Sequence, residues 1–288
     1  MKKARDIKRR MQSVDNTKKI TRTMEMVAAS KLRRARQRVE QSRPYSAKLR
    51  DVIDRLATPE LTRASPLLRQ PEEIRRAAVL LLTSDRGLCG SFNSNLISEG
   101  RDLVEELDGE GVDVELHVVG KKGITFFEFR GREMTRTRTD IGDQPSVEEA
   151  RDLVRSPADR FVEGELDALW VVYADFQSVM STPISRRQIL PVPIPEEDGE
   201  TQLYILDPSA DEILERVLPL YVTNAVFNAL VETAAAEHAS RRTAMKNATD
   251  NAEEMLEDLE RSYNRARQAE ITQQIAEIMG GAEALREE

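Results

Sequence analysis

Two long stretches, one at each end of the chain, repeat apolar or small residues in steps close to 3.5. From about Ala4 to Leu56 only Pro44 interrupts, and Ile7, Met11, Val14, Thr21, Ala28, Leu32, Ala35 and Val39 keep the spacing. From Asp207 onward, with Pro219 near the start and no later proline, Leu218, Tyr221, Ala225, Ala235, Ala239, Arg242, Ala252, Leu259, Tyr263 and Ala266 do the same. At 1.5 Å per residue these read as helices of roughly 75–80 Å and about 90 Å, far longer than a small domain is wide. So narrow an apolar stripe is stable only against a partner. The pattern therefore predicts that the two run antiparallel as a coiled coil. The pair Gly280 and Gly281 reads as the stop of the second helix.

Between them the pattern changes. After the proline-bearing linker ATPELTRASPLLRQPEE, the runs AAVLLLT (77–83), VELHVVG (114–120) and ALWVVYA (168–174) read as buried strands. They alternate with the helix-like NSNLISEGRDLVEEL and KKGITFFEF, and such alternation predicts a mostly parallel sheet covered by helices. The fold class expected is α/β: an antiparallel two-helix coiled coil from residues 1–58 and 207–288, with a central Rossmann-like α/β domain over 59–206.

Charge adds a second constraint. The net −8 of the 288 residues hides a basic arm: residues 1–50 hold 17 Lys and Arg against four acidic residues, a net +13, which leaves −21 for the rest. From 207 onward 17 acidic residues face 8 basic ones, so the second helix complements the first. A two-helix pair covers one face of each helix, and Ile20, Met24 and Val27 form a residual apolar stripe that calls for an external partner. Ala28, Ala29 and Ser30 read as small because the helix there is closely packed on both sides.

A basic arm also suits nucleic acid, but interleaved aromatics and any recognition module are lacking. The loop SDRGLCGSFNSN (84–95), with Gly87, Cys89 and Gly90 in a tight βα turn, raises a phosphate site or a cysteine nucleophile as alternatives. It matches neither G-x-x-x-x-G-K-[ST] nor G-x-G-x-x-G. The single cysteine excludes an internal disulfide, and no Cys/His cluster has zinc spacing. His117 and His238 read as structural. No apolar run reaches 18 residues, and MKKARDIKRR lacks a signal-peptide core, so a cytosolic chain able to dock on a membrane complex is expected.

Three long segments, DIKRRMQSVDNTKKITRTMEMVAASKLRRA, SDRGLCGSFN and AMKNATDNAEEMLEDLERSYNRARQAEITQQIAEIMGGAEAL, closely resemble the gamma subunit of rotary F-type ATP synthases of bacterial type. TDIGDQPS and YILDPSADEIL also look like family segments. The resemblance implies a non-catalytic central rotor shaft, one copy per complex, without cofactor or nucleic acid. Its implied partners are alpha and beta subunits in an alternating hexamer, the epsilon subunit and the ring of membrane c subunits. The implied location is the cytoplasmic face of the bacterial plasma membrane, as a peripheral protein. Carried over by motif, Met24, Lys31, Arg33, Arg34, Arg242, Arg267, Gln268 and Thr272 would face alpha and beta. Tyr204 and Asp207 would lie near epsilon and the ring; many relatives carry glutamate where Asp207 stands.

Overall fold

The structure, a computed structural model, describes residues 4–56, 65–193 and 209–284. The chain order is α1 (Ala4–Leu56), β1 (Arg76–Leu82), α2 (Phe92–Gly109), β2 (Asp113–Val119), α3 (Lys121–Arg130), β3 (Arg136–Arg138), α4 (Val147–Val162), β4 (Ala168–Ala174), β5 (Ile184–Leu190) and α5 (Ala210–Ala284). Two compact units emerge, Met1–Val27 with Arg242–Glu288, and Ala28–Arg241.

The first unit is a helix pair. Ala4, Ile7, Met11, Val14, Lys18, Thr21 and Glu25 of α1 are buried or half-buried, as are Arg242, Met245, Thr249, Ala252, Leu256, Leu259, Tyr263 and Ala266 of α5. Both series step by three and four residues, the heptad period that imposes a left-handed supercoil. Direction follows from the cross-links. Ala4 N donates to Glu270 Oε1 at 3.1 Å, Lys18 Nζ to Glu253 Oε1 at 2.8 Å, and Thr249 Oγ1 lies 2.8 Å from Thr21 Oγ1. Partner numbers fall as α1 advances, so the helices run antiparallel.

The second unit is a five-stranded sheet in the order β3-β2-β1-β4-β5, parallel except for antiparallel β5. Every residue of β1 after Arg76 is buried, because the strand is central and both faces are covered. Ala78, Leu80 and Leu82 point to one core with Leu153, Val154 and Phe161 of α4, Ile53 and Leu56 of α1, and Leu214 to Leu230 of α5. Ala77, Val79 and Leu81 point to the other, with Leu96, Leu103 and Leu107 of α2, Ile124 and Phe127 of α3, Leu32, Ala35 and Val39 of α1, and Val231 to Ala239 of α5.

Three expectations need correction. The helix α5 does not stop at the glycine pair but continues to Ala284. Gly280 is not left-handed, so it costs the helix only about 1 kcal/mol relative to alanine. Met24 is half-buried, whereas Ile20 (60% exposed) and Val27 (51%) are joined in solvent by Met26 (60%). Of the small triplet, Ala28 is buried and Ala29 half-buried, but Ser30 is exposed, so close packing accounts for the alanines alone. One window of α5 is long and apolar enough to cross a membrane by length and composition, yet 56% of it is buried within the protein.

Candidate functional site

The strand β1 delivers the chain into the 84–91 loop, where a phosphate site would have to form. Left-handed backbone occurs at Leu88 (φ 62°) and Gly90 (φ 60°) rather than at Gly87, and Leu88 is exposed. Behind the loop Gly120 (φ 95°) opens α3, and a Cβ there would meet Thr83 O at 2.2 Å. The close approach of β1 and α3 therefore requires glycine. It also consumes the helix terminus: Lys121 N donates to Asp85 Oδ1 at 2.9 Å, Lys122 N to Ser84 O at 3.1 Å and Gly123 N to Thr83 Oγ1 at 3.0 Å. Those bonds occupy the first-turn amides of α3; at the helix that the 84–91 loop itself enters, α2, Phe92 N donates to Cys89 O at 3.3 Å and Asn95 N to Ser91 O at 2.9 Å.

Cys89 is no better placed as a nucleophile. It is buried, Asn93 Nδ2 donates to its sulfur at 3.2 Å, and burial pushes the thiol pKa up although Arg241 opposes the shift. The loop is instead fastened to α5. Arg241 Nη2 donates to Gly87 O at 3.2 Å, Arg86 O at 3.4 Å and Glu237 Oε1 at 2.6 Å. Burial pushes the Glu237 pKa up, and Arg241 counters it. The sequence signal was an acid and a base at i, i+4 on a helix, which is too common to single out.

A second fastening holds the loop between β3 and α4. Asp143 accepts a hydrogen bond from Lys31 Nζ, and Arg38 Nη2 donates to Gln144 Oε1 at 3.0 Å. His238 Nε2 lies 3.0 Å from Asp143 Oδ1, within ion-pair range but outside hydrogen-bond alignment. Burial works against the Asp143 carboxylate, yet Lys31 and His238 outweigh it and hold its pKa below the ordinary value. Lys31 is thus engaged within the fold, while Arg33 and Arg34 beside it are exposed. His117 is also buried, 3.8 Å from Glu115.

In the helix pair, Arg242 is half-buried at a seam position, and Arg267, Gln268 and Thr272 are exposed. Ala4 bonds to Glu270 at the outset of α1, so the last turns of α5 continue past that pairing. There Ile271, Ile275, Ile278 and Met279 are exposed, an apolar row at i, i+4, i+7 and i+8 with Gln268 and Thr272 alongside. Tyr204 and Asp207 lie outside the described residues. Among the described residues no group of His, Cys, Asp and Glu is arranged to hold a metal ion.

Residues 3–285 match the family model described as ATP synthase. The chain is 52% identical over 289 residues to the ATP synthase gamma chain of Gemmatimonas aurantiaca, covering 99% of this chain and 100% of that one. Its fold is similar to a chain of the mitochondrial ATP synthase rotor of Euglena gracilis, with TM-score 0.65, 19% identity and coverage of 93% and 98%. A chain of the Tetrahymena thermophila mitochondrial ATP synthase central stalk and c-ring gives TM-score 0.61 at 22% identity, covering 80% of this chain and 99% of that chain.

Proposed function

The chain belongs to the ATP synthase gamma chain family, and from that premise we propose that it is the central rotor shaft of an F-type ATP synthase. A gamma chain is one subunit of a membrane-associated complex. Its task is mechanical: ion-driven rotation of the c-ring turns the shaft, and the shaft's unequal faces shift each beta subunit among its conformations. Such a shift requires differential contact with those conformations, because a ligand that meets all states equally moves none of them. The observation that carries the reading is the heptad-paired helix unit whose α5 tip presents an apolar row beyond the pairing.

Each surface then acquires a role within this reading. Ile271, Ile275 and Ile278, with Arg267, Gln268 and Thr272 beside them, would turn inside the alpha-beta hexamer. Ile20, Met26 and Val27, with exposed Arg22, Arg33 and Arg34, would meet beta, and Met24 would contribute from the seam edge. Arg242 fits the same surface from its half-buried position. Tyr204 and Asp207 would contact epsilon and the c-ring. Within this reading the chain itself performs no catalysis, and the burial of Cys89 is in keeping with that. Its complex would sit on the cytoplasmic face of the plasma membrane.

Reconstitution tests this. The purified chain should hydrolyse no ATP alone and should enter an ATP-hydrolysing complex when alpha and beta subunits are added. Turnover by the chain alone, or its exclusion from the complex, would contradict the proposal.

A further inference from the structure

Lys31 and Arg38 stand nearly two turns apart on one side of α1, and both reach the loop between β3 and α4. Lys31 Nζ donates to Asp143 Oδ2, and Arg38 Nη2 to Gln144 Oε1 at 3.0 Å. From the other long helix, His238 Nε2 lies 3.0 Å from Asp143 Oδ1. Asp143 thus turns one oxygen toward each helix. The tie continues along α5, where Arg241 Nη1 lies 3.4 Å from His238 Nδ1 and Nη2 donates to Gly87 O and Arg86 O. Other polar ties to the strand ends reach one helix each: Arg43 Nη2 of α1 donates to Phe176 O at 2.9 Å, and Thr233 Oγ1 of α5 accepts from Ala174 N at 3.3 Å.

The loop that carries Asp143 is anchored at both ends. Before it, β3 pairs with β2, and Arg138 Nη1 donates to Asp152 Oδ2 of α4 at 2.6 Å. After it, Ser146 closes the capping box of α4. Every residue of this network belongs to the unit Ala28–Arg241, and Lys31 and Arg241 lie at the chain boundaries where α1 and α5 pass out of that unit. The Lys31 and Asp143 side chains are 28% and 41% exposed, and a pair so open to water adds little to folding stability. Its direction matters more. Apolar burial, which holds much of α1 and α5 to the sheet, is non-directional, whereas hydrogen bonds weaken steeply when misaligned. A twist of the helices against the sheet is therefore resisted first by the polar ties.

We propose that Asp143 is a torque-transmitting residue, a positioning group that locks α1 and α5 to the sheet by holding Lys31 and His238 at once, with Arg38 and Gln144 as a second grip. This rests on the shaft reading above and adds to it the place where load passes from the α/β unit into both helices. Without the Asp143 carboxylate, Lys31 and His238 lose their common partner. The loop then keeps the Arg38–Gln144 bond, which reaches α1 alone. The two helices are no longer joined through one anchored loop, and each can twist by a different amount under the same load.

The test uses the complex assembled with alpha and beta subunits and fixed to a surface, with a probe on the α/β unit at Phe129. Without ATP the probe fluctuates thermally, and the width of its angular spread reports the torsional stiffness of the shaft. Asp143→Ala should lose stiffness, read as a broader spread, while the melting temperature of the chain changes little. Asp143→Asn, which keeps an oxygen to accept from Lys31, should recover part of the loss. Gln144→Ala, at an exposed residue, cuts the second grip and should broaden the spread by less; it carries the test should Asp143→Ala not fold. An unchanged spread in Asp143→Ala, or in Gln144→Ala where the first variant does not fold, overturns the proposal. So does a broadening that comes only with loss of cooperative melting, which assigns Asp143 to folding alone. If the unsubstituted chain does not turn when ATP is added, the shaft reading fails and the proposal with it; turning with equal spreads removes the role of Asp143 alone.

Discussion

Arg241 joins a loop to a helix with one planar group. Its guanidinium reaches two loop carbonyls and the half-buried Glu237 carboxylate at once, a geometry that lysine cannot copy. Arg241→Ala should destabilise the chain by about 3 kcal/mol, since it orphans Glu237 and frees the 84–91 loop. Arg241→Lys should recover less than half of that loss, as measured by urea unfolding. His238 gives a pH limb. Burial drives its pKa down to about 4, although Asp143 pulls it upward. Its folded pKa lies below the ordinary 6.5, so the stability it contributes is complete above pH 6.5 and is lost as pH falls toward 4. The unfolding free energy should drop by about 2–3 kcal/mol between pH 7 and pH 4.5. His238→Gln should flatten that limb, and a persisting slope of the same size would assign it to other groups.

At the scale of elements, the helix pair contains a polar link that separates a made hydrogen bond from an orphaned one. Thr21 and Thr249 are buried in the seam with their hydroxyl oxygens 2.8 Å apart, and Thr21 also donates to Lys18 O at 3.0 Å. Either threonine replaced alone by valine should cost about 1–2 kcal/mol, whereas the double replacement should cost less than the sum of the two. Thermal melts of the four chains give the cycle, and strict additivity would show the link to be idle. The seam was legible in the sequence because Ile7, Met11 and Val14, and later Ala252, Leu259 and Tyr263, carry the 3.5 period within each helix. The strands β1 and β4 were legible because burial on both faces makes them nearly continuous apolar runs, and β2 because its second half, Leu116 to Val119, is buried. Three elements gave no such signal: β3 is the three-residue RTR, β5 carries Arg186 and Arg187 at its centre, and α4 contains Pro157. Its start was nevertheless written in SVEE, where Ser146 and Glu149 form a capping box. The Lys31–Asp143–His238 cluster could not be read at all, because its members meet only through tertiary packing.

Taken whole, this chain is a transmitter of rotation. The resemblance that pointed there rested on residues at both ends and on the loop after β1, and the family match over residues 3–285 spans all three. The physical requirement is a pair of helices that stays matched under torque. A heptad seam cross-linked from Ala4–Glu270 to Thr21–Thr249 meets it, because turning one helix against the other must break side-chain pairs along the unit. The most direct measurement is single-particle rotation. Alpha and beta subunits are reconstituted with this chain and fixed to a surface, and a probe is attached to an exposed position of the α/β unit such as Phe129. On adding ATP the probe should turn steadily in one direction. A complex that hydrolyses ATP at full rate while a firmly attached probe stays still would contradict the claim that this chain is the shaft.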